Sequence, residues 1–97
     1  MYVGKKCRIG PFSRIRPDTI IEDEVEIGNF VEIIRCKIGC GAVIKHHCYL
    51  GDANIGRNVN IGAGTTTANY DGKKTNKTKI VVLKNTKVPP GAVLARR

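Results

Sequence analysis

From Val3 onward an aliphatic side chain returns at almost every sixth residue: Val3, Ile9, Ile15, Ile21, Ile27, Ile33, Ile38, Ile44, Leu50, Ile55 and Ile61. An amphipathic helix would repeat at three and four residues and a half-buried strand at two, so a period of six marks a unit that is itself repeated. Two positions before the next anchor stands a small or β-branched residue, in the series Cys7, Ser13, Thr19, Val25, Val31, Cys36, Ala42, Cys48, Ala53, Val59 and Thr65. Residues two apart in extended chain share a face, so each hexad sends one large and one small side chain inward and then turns. Three hexads close a triangular coil.

Stacking such coils places Ile9 over Ile27, Ile44 and Ile61, Val3 over Ile21, Ile38 and Ile55, and Ile15 over Ile33 and Leu50. The hexads after Ile33 and Leu50 are each one residue short, which explains why some ladder spacings are seventeen rather than eighteen. The pattern predicts an all-β solenoid of parallel strands, about four coils long, whose core is a set of aliphatic ladders. Glycines that follow an anchor, such as Gly10, Gly28, Gly56 and Gly62, are expected to give the corners backbone freedom.

The period lapses at Thr65. Residues 66–81 are read as a loop leaving the prism, with Asp71-Gly72 as a turn signal and a run of lysines at 73, 74, 77 and 79. The hexads resume at Val82, Val88 and Leu94, so 82–97 is expected to form a terminal coil and a basic tail. The 97 residues make one domain, with coils over 3–65. A chain this small buries only about 60–65% of its unfolded surface, which favours oligomerisation.

The net charge is +9, and it is uneven: residues 1–65 hold nine Lys and Arg against seven Asp and Glu, residues 66–97 eight against one. A basic end favours anionic partners. Nucleic acid is disfavoured among these, because no aromatic residues are interleaved with the basic ones for base stacking. No apolar run approaches the ~18 residues of a membrane span, and the first residues do not lead into a signal-like stretch, so no membrane span and a cytoplasmic location are expected. Of the four cysteines, Cys7, Cys36 and Cys48 fall in the small inward register and read as reduced packing residues, leaving Cys40 at a corner. Their spacing with His46 and His47 matches no zinc pattern, so no metal site is expected.

The segments GPFSRIRP, IGNFVE and HHCYLGDANIGRNVNIGAGTTTANYDGKK resemble the acetyltransferase domain of the bacterial bifunctional N-acetylglucosamine-1-phosphate uridyltransferase and glucosamine-1-phosphate acetyltransferase, over roughly Val3 to Thr78. The resemblance implies a left-handed parallel β-helix, a homotrimer with active sites between subunits, acetyl-coenzyme A as donor and glucosamine 1-phosphate as acceptor. It thereby implies a role in making UDP-N-acetylglucosamine for the cell wall. It makes His46 the base that takes the amine proton, a task suited to an imidazole. Arg16 and Tyr49 match contacts to the sugar phosphate, Asn60 and Asn69 match contacts to the sugar and acetyl group, and the backbone of Ala63 matches a contact to the coenzyme. His47 matches no functional position. Ile34 and Thr75 stand where the family has lysines, Arg35 lies beside the first, and one terminal coil stands where the family has several. A second class of function therefore stays open: a shortened, non-enzymatic β-helix serving as a trimeric binding or assembly module.

Overall fold

The computed structural model describes residues 1–68 and 79–95. Within them the chain forms fifteen short strands and no helix, arranged as three five-stranded parallel sheets. The first face holds β1 (Tyr2–Val3), β4 (Ile20–Ile21), β7 (Lys37–Ile38), β10 (Ala53–Ile55) and β13 (Ile80–Val82). The second holds β2 (Arg8–Ile9), β5 (Glu26–Ile27), β8 (Val43–Ile44), β11 (Asn60–Ile61) and β14 (Lys87–Val88). The third holds β3 (Arg14–Ile15), β6 (Glu32–Ile34), β9 (Tyr49–Gly51), β12 (Thr66–Ala68) and β15 (Val93–Ala95). Consecutive strands lie on successive faces, so every three strands make one coil of a left-handed parallel β-helix. Four coils precede the break in the hexads and a fifth follows it.

The aliphatic ladders hold in register. Val3, Ile21, Ile38, Ile55 and Val82 pair in sequence on the first face. Ile9, Ile27, Ile44, Ile61 and Val88 do so on the second. In the middle of the prism these side chains are sealed: Ile21, Ile33, Ile38, Leu50 and Ile61 are each 0% exposed. At about 1.5–3 kcal/mol for a fully buried aliphatic side chain, the ladders are the main source of stability. In the first coil the anchors Val3 and Ile9 remain 43% and 36% exposed.

Two sequence expectations change. Part of the expected loop is strand, since Thr66–Ala68 and Ile80–Val82 continue the sheets, and residues 69–78 lie outside the described residues. The hexads seemed to lapse because Thr67 fills the third-face anchor between Leu50 and Leu94. It is buried, and its hydroxyl satisfies itself by accepting the Gly51 N–H at 2.8 Å. The glycines after the anchors also serve another purpose. The left-handed backbone falls at a later corner position, at residues such as Phe30, His47 and Asn58 with φ of 60°, 58° and 56°. Gly62 is instead required by space: a Cβ there would lie 2.5 Å from the Pro90 nitrogen of the coil above. The four thiols are free, with Cys36 and Cys48 buried as the inward register predicts.

Candidate active site

The two edges that flank the third face carry most of the residues singled out in the sequence. At the edge between the second and third faces, the corners 28–31, 45–48, 62–65 and 89–92 stack in the same conformation. The N–H of His47 donates to the Asn29 carbonyl at 3.2 Å, that of Gly64 to His46 at 3.1 Å, and that of Gly91 to Ala63 at 2.8 Å. This repetition sets Asn29, His46, Ala63 and Pro90 one above another, and likewise Phe30, His47, Gly64 and Gly91.

His46 is exposed, and no described residue hydrogen-bonds its ring. It lines a cavity of about 430 Å³ together with Asn60, Ala63, Lys45, Lys87 and Pro90. The fold therefore gathers His46, Asn60 and Ala63 around one space, although they come from two coils. The Ala63 carbonyl is committed to Gly91, which leaves its N–H as the backbone group it can offer. Lys45 and Lys87 were not singled out in the sequence; they give this cavity a cationic rim. Lys87 pairs with Asn60 in register, a relation that the intervening irregular segment conceals from any period count.

Arg16 begins the corner between the third and first faces, and its guanidinium bridges to Glu32 at 2.9 Å. Glu32 pairs in register with Tyr49 on β9, so the corner residue Arg16 reaches through its ion pair to the outward series of the third face. Glu32 escaped the sequence reading; its outward register, seventeen residues before Tyr49, is the signal that could have found it. Tyr49 shares a cavity of about 420 Å³ with Phe12, Phe30, Glu32, His47 and Thr66. Among the described residues no hydrogen bond joins Arg16 to His46, and the two stand at different edges of the third face. Asn69 and Thr75 lie outside the described residues.

The corner next to Arg16 is internally compensated. Arg35 grips Asp52 with Nε at 2.6 Å and a terminal nitrogen at 3.0 Å, and its carbonyl receives the Lys79 ammonium. The hydrogen bond to Asp52 raises the Arg35 pKa above its already high ordinary value. Arg35 is thus held by a carboxylate, and cannot stand in for a phosphate-binding lysine without giving it up. Ile34 is 7% exposed and belongs to the interior.

Burial raises the thiol pKa of Cys36 and of Cys48. At Cys40 desolvation acts first and the carboxylates of Glu24 and Asp23 add to it. No cluster of three or more His, Cys, Asp or Glu suited to a metal occurs among the described residues, and they contain no helix long and apolar enough to cross a membrane. The largest of the cavities described, about 700 Å³, lies on the first face against Ile55, Val81 and Leu83 and holds none of the expected site residues.

A parallel β-helix with hexapeptide coils, bearing an exposed corner histidine beside an asparagine and a cationic rim, defines the class. The chain belongs to the GMPPB C-terminal domain family, whose model matches residues 1–96. It is also a homologue of the proteins that its motifs resemble. It is 59% identical over 70 residues, 72% of the chain, to the bifunctional protein GlmU of Nitrosospira multiformis, covering 15% of that protein. To GlmU of Chromobacterium violaceum it is 49% identical over 92 residues, 95% of the chain and 20% of that protein. The chain thus spans a fifth or less of these relatives. Among solved structures it is similar to the CcmM N-terminal domain, crystallised in complex with CcmN, with a TM-score of 0.61 over 100% of the chain and 84% of that domain. At 20% identity that likeness concerns the fold alone.

Proposed function

We propose that the chain is an acetyl-coenzyme A-dependent N-acetyltransferase of the glucosamine-1-phosphate type. The convergence of His46, Asn60 and Ala63 on one cavity carries this reading, and the similarity to GlmU supports it. In the reaction the acceptor amine attacks the thioester carbonyl, the carbon–nitrogen bond forms and the carbon–sulfur bond breaks. His46 takes the proton that the nitrogen sheds, and the departing coenzyme thiolate is reprotonated. An imidazole whose ring has no described hydrogen-bond partner is available for that transfer. Asn60 orients the sugar or acetyl group, and the Ala63 N–H and the Lys45 and Lys87 ammonium groups suit the phosphorylated donor. Asn69 is proposed to complete the acetyl contact.

The divided site supports a homotrimer. Arg16 and Tyr49, lying along the third face of one protomer, hold the acceptor phosphate against the His46 edge of its neighbour. Such an enzyme would act in the cytoplasm on small phosphorylated substrates, with no nucleic-acid partner and no membrane span. One observation favours the second reading, a trimeric binding or assembly module: Pro90, which has no N–H to offer, stands at the donor cavity.

The two readings part in one experiment. The enzyme releases coenzyme A thiol when given acetyl-coenzyme A and glucosamine 1-phosphate, and coenzyme A raises its melting temperature with ligand concentration. A trimer that shows neither response is a module.

A further inference from the structure

The His46 ring has one described ring neighbour, and it is the adjacent histidine. His47 meets it edge to face, with centroids 5.2 Å apart and planes at 75°. His47 is itself the end of a stack. Phe12 lies on Phe30 at 5.6 Å and 7°, and Phe30 on His47 at 5.1 Å and 15°. The ladder then stops, because the next two positions in that register are Gly64 and Gly91.

We infer that His47 is a positioning residue for His46: the aromatic stack fixes the His47 ring, whose edge fixes the orientation of the catalytic imidazole. This rests on the acetyltransferase reading given above. An exposed histidine with no hydrogen bond to its ring samples several rotamers, and confining it removes an orientational cost from the proton transfer. The corner backbone assists the stack, in a left-handed conformation that Lys6, Glu24 and Asn58 share at other corners. A bulky residue at positive φ is unfavourable, yet Phe30 and His47 both adopt it, at 60° and 58°. That shared conformation brings their side chains into register. His46 walls two cavities, the one with Asn60 and a second of about 340 Å³ with Asn29 and Phe30, and His47 is its one described ring contact.

The test uses the whole chain with acetyl-coenzyme A and glucosamine 1-phosphate. His47→Ala should lower kcat about three- to tenfold, the worth of one aromatic contact, while KM and the oligomer are unchanged. His47→Phe should restore kcat, because Phe30 shows that a phenyl ring accepts this backbone and continues the stack. In ¹H–¹³C spectra the His46 ring resonances should move in His47→Ala and return in His47→Phe. Unchanged kcat with unchanged His46 resonances overturns the inference. So does a KM that rises in step with the loss, or a phenylalanine variant as impaired as the alanine one. If wild type transfers no acetyl group, the acetyltransferase reading fails and the resonances alone decide: a His46 ring indifferent to residue 47 is not positioned by it.

Discussion

The two edges of the third face are built from the same kind of coil and do opposite things with their polar side chains. At the edge shared with the first face, cations meet anions: Arg16 bridges Glu32 and Arg35 grips Asp52. At the edge shared with the second face, ring contacts replace ion pairs, and His46 stands beside cavities with no ion pair to its ring among the described residues. A compensated corner resists further ligands, because a new partner must first displace the old one. A histidine without such a partner has none to displace. The contrast suits the base proposed at the second edge, whereas the phosphate contact proposed at the first requires Arg16 to part from Glu32.

The largest effect should follow from removing the imidazole. His46→Ala is expected to lower kcat by roughly 10² to 10⁴ fold with the oligomer intact, as for loss of a general base. Arg35→Ala, at the compensated corner, should leave kcat unchanged. Steady-state kinetics on the two variants measure the contrast directly, and comparable losses would abolish it.

Next comes the phosphate. Because Glu32 already holds Arg16, Glu32→Gln should free the guanidinium and lower KM for glucosamine 1-phosphate, while Arg16→Ala should raise it about tenfold or more, the worth of a charge-assisted hydrogen bond. Neither change should affect unphosphorylated glucosamine. A KM that moves equally for both sugars would show that Arg16 serves the fold and not the phosphate.

A smaller effect concerns stability. Arg35 and Asp52 side chains are 46% and 15% exposed, so solvent screens much of the pair. Arg35→Ala should cost roughly 0.5–1 kcal/mol, read as a lower urea midpoint with an unchanged slope. A loss that vanishes in high salt marks the pair as purely electrostatic; one that persists assigns the cost to the packed guanidinium.

What the sequence disclosed follows from which forces are periodic. The ladders from Val3 to Ile61 were legible residue by residue, including both shortened hexads, because burying an aliphatic side chain imposes the same demand on every coil. Thr67 broke that reading, since a threonine can fill an anchor once its hydroxyl finds the Gly51 N–H, and no hydropathy pattern carries that bond. Motifs singled out His46, Asn60 and Ala63, and the fold brings these three to one cavity. Pairings between coils were not legible: Arg16 with Glu32, Arg35 with Asp52 and His47 on Phe30 depend on residues brought together across turns, and contact order erases them from local sequence. Ile34 illustrates the cost. By resemblance alone it invites replacement with lysine, but at 7% exposure a charge there would have to leave the interior or destabilise it.

The smallest effect tests whether the edges differ on the inside as well. Cys36 and Cys48 occupy equivalent inward positions, one at each edge, and their thiols donate to carbonyls of the coil above, Leu50 at 3.4 Å and Gly62 at 3.3 Å. Burial raises both above the ordinary thiol value. A raised pKa means that the native state keeps a proton which the unfolded chain releases. Stability from this source is therefore full below that ordinary value and declines as pH rises through it toward the native values. Cys36→Ala and Cys48→Ala should each shrink the fall in unfolding free energy between pH 7 and pH 10 relative to wild type, and by similar amounts. Chemical denaturation at the two pH values gives the four numbers required. Matching effects place the whole difference between the edges in their outward side chains. If only one cysteine responds, the interiors differ too, and the distinct behaviour of His46 begins below the surface.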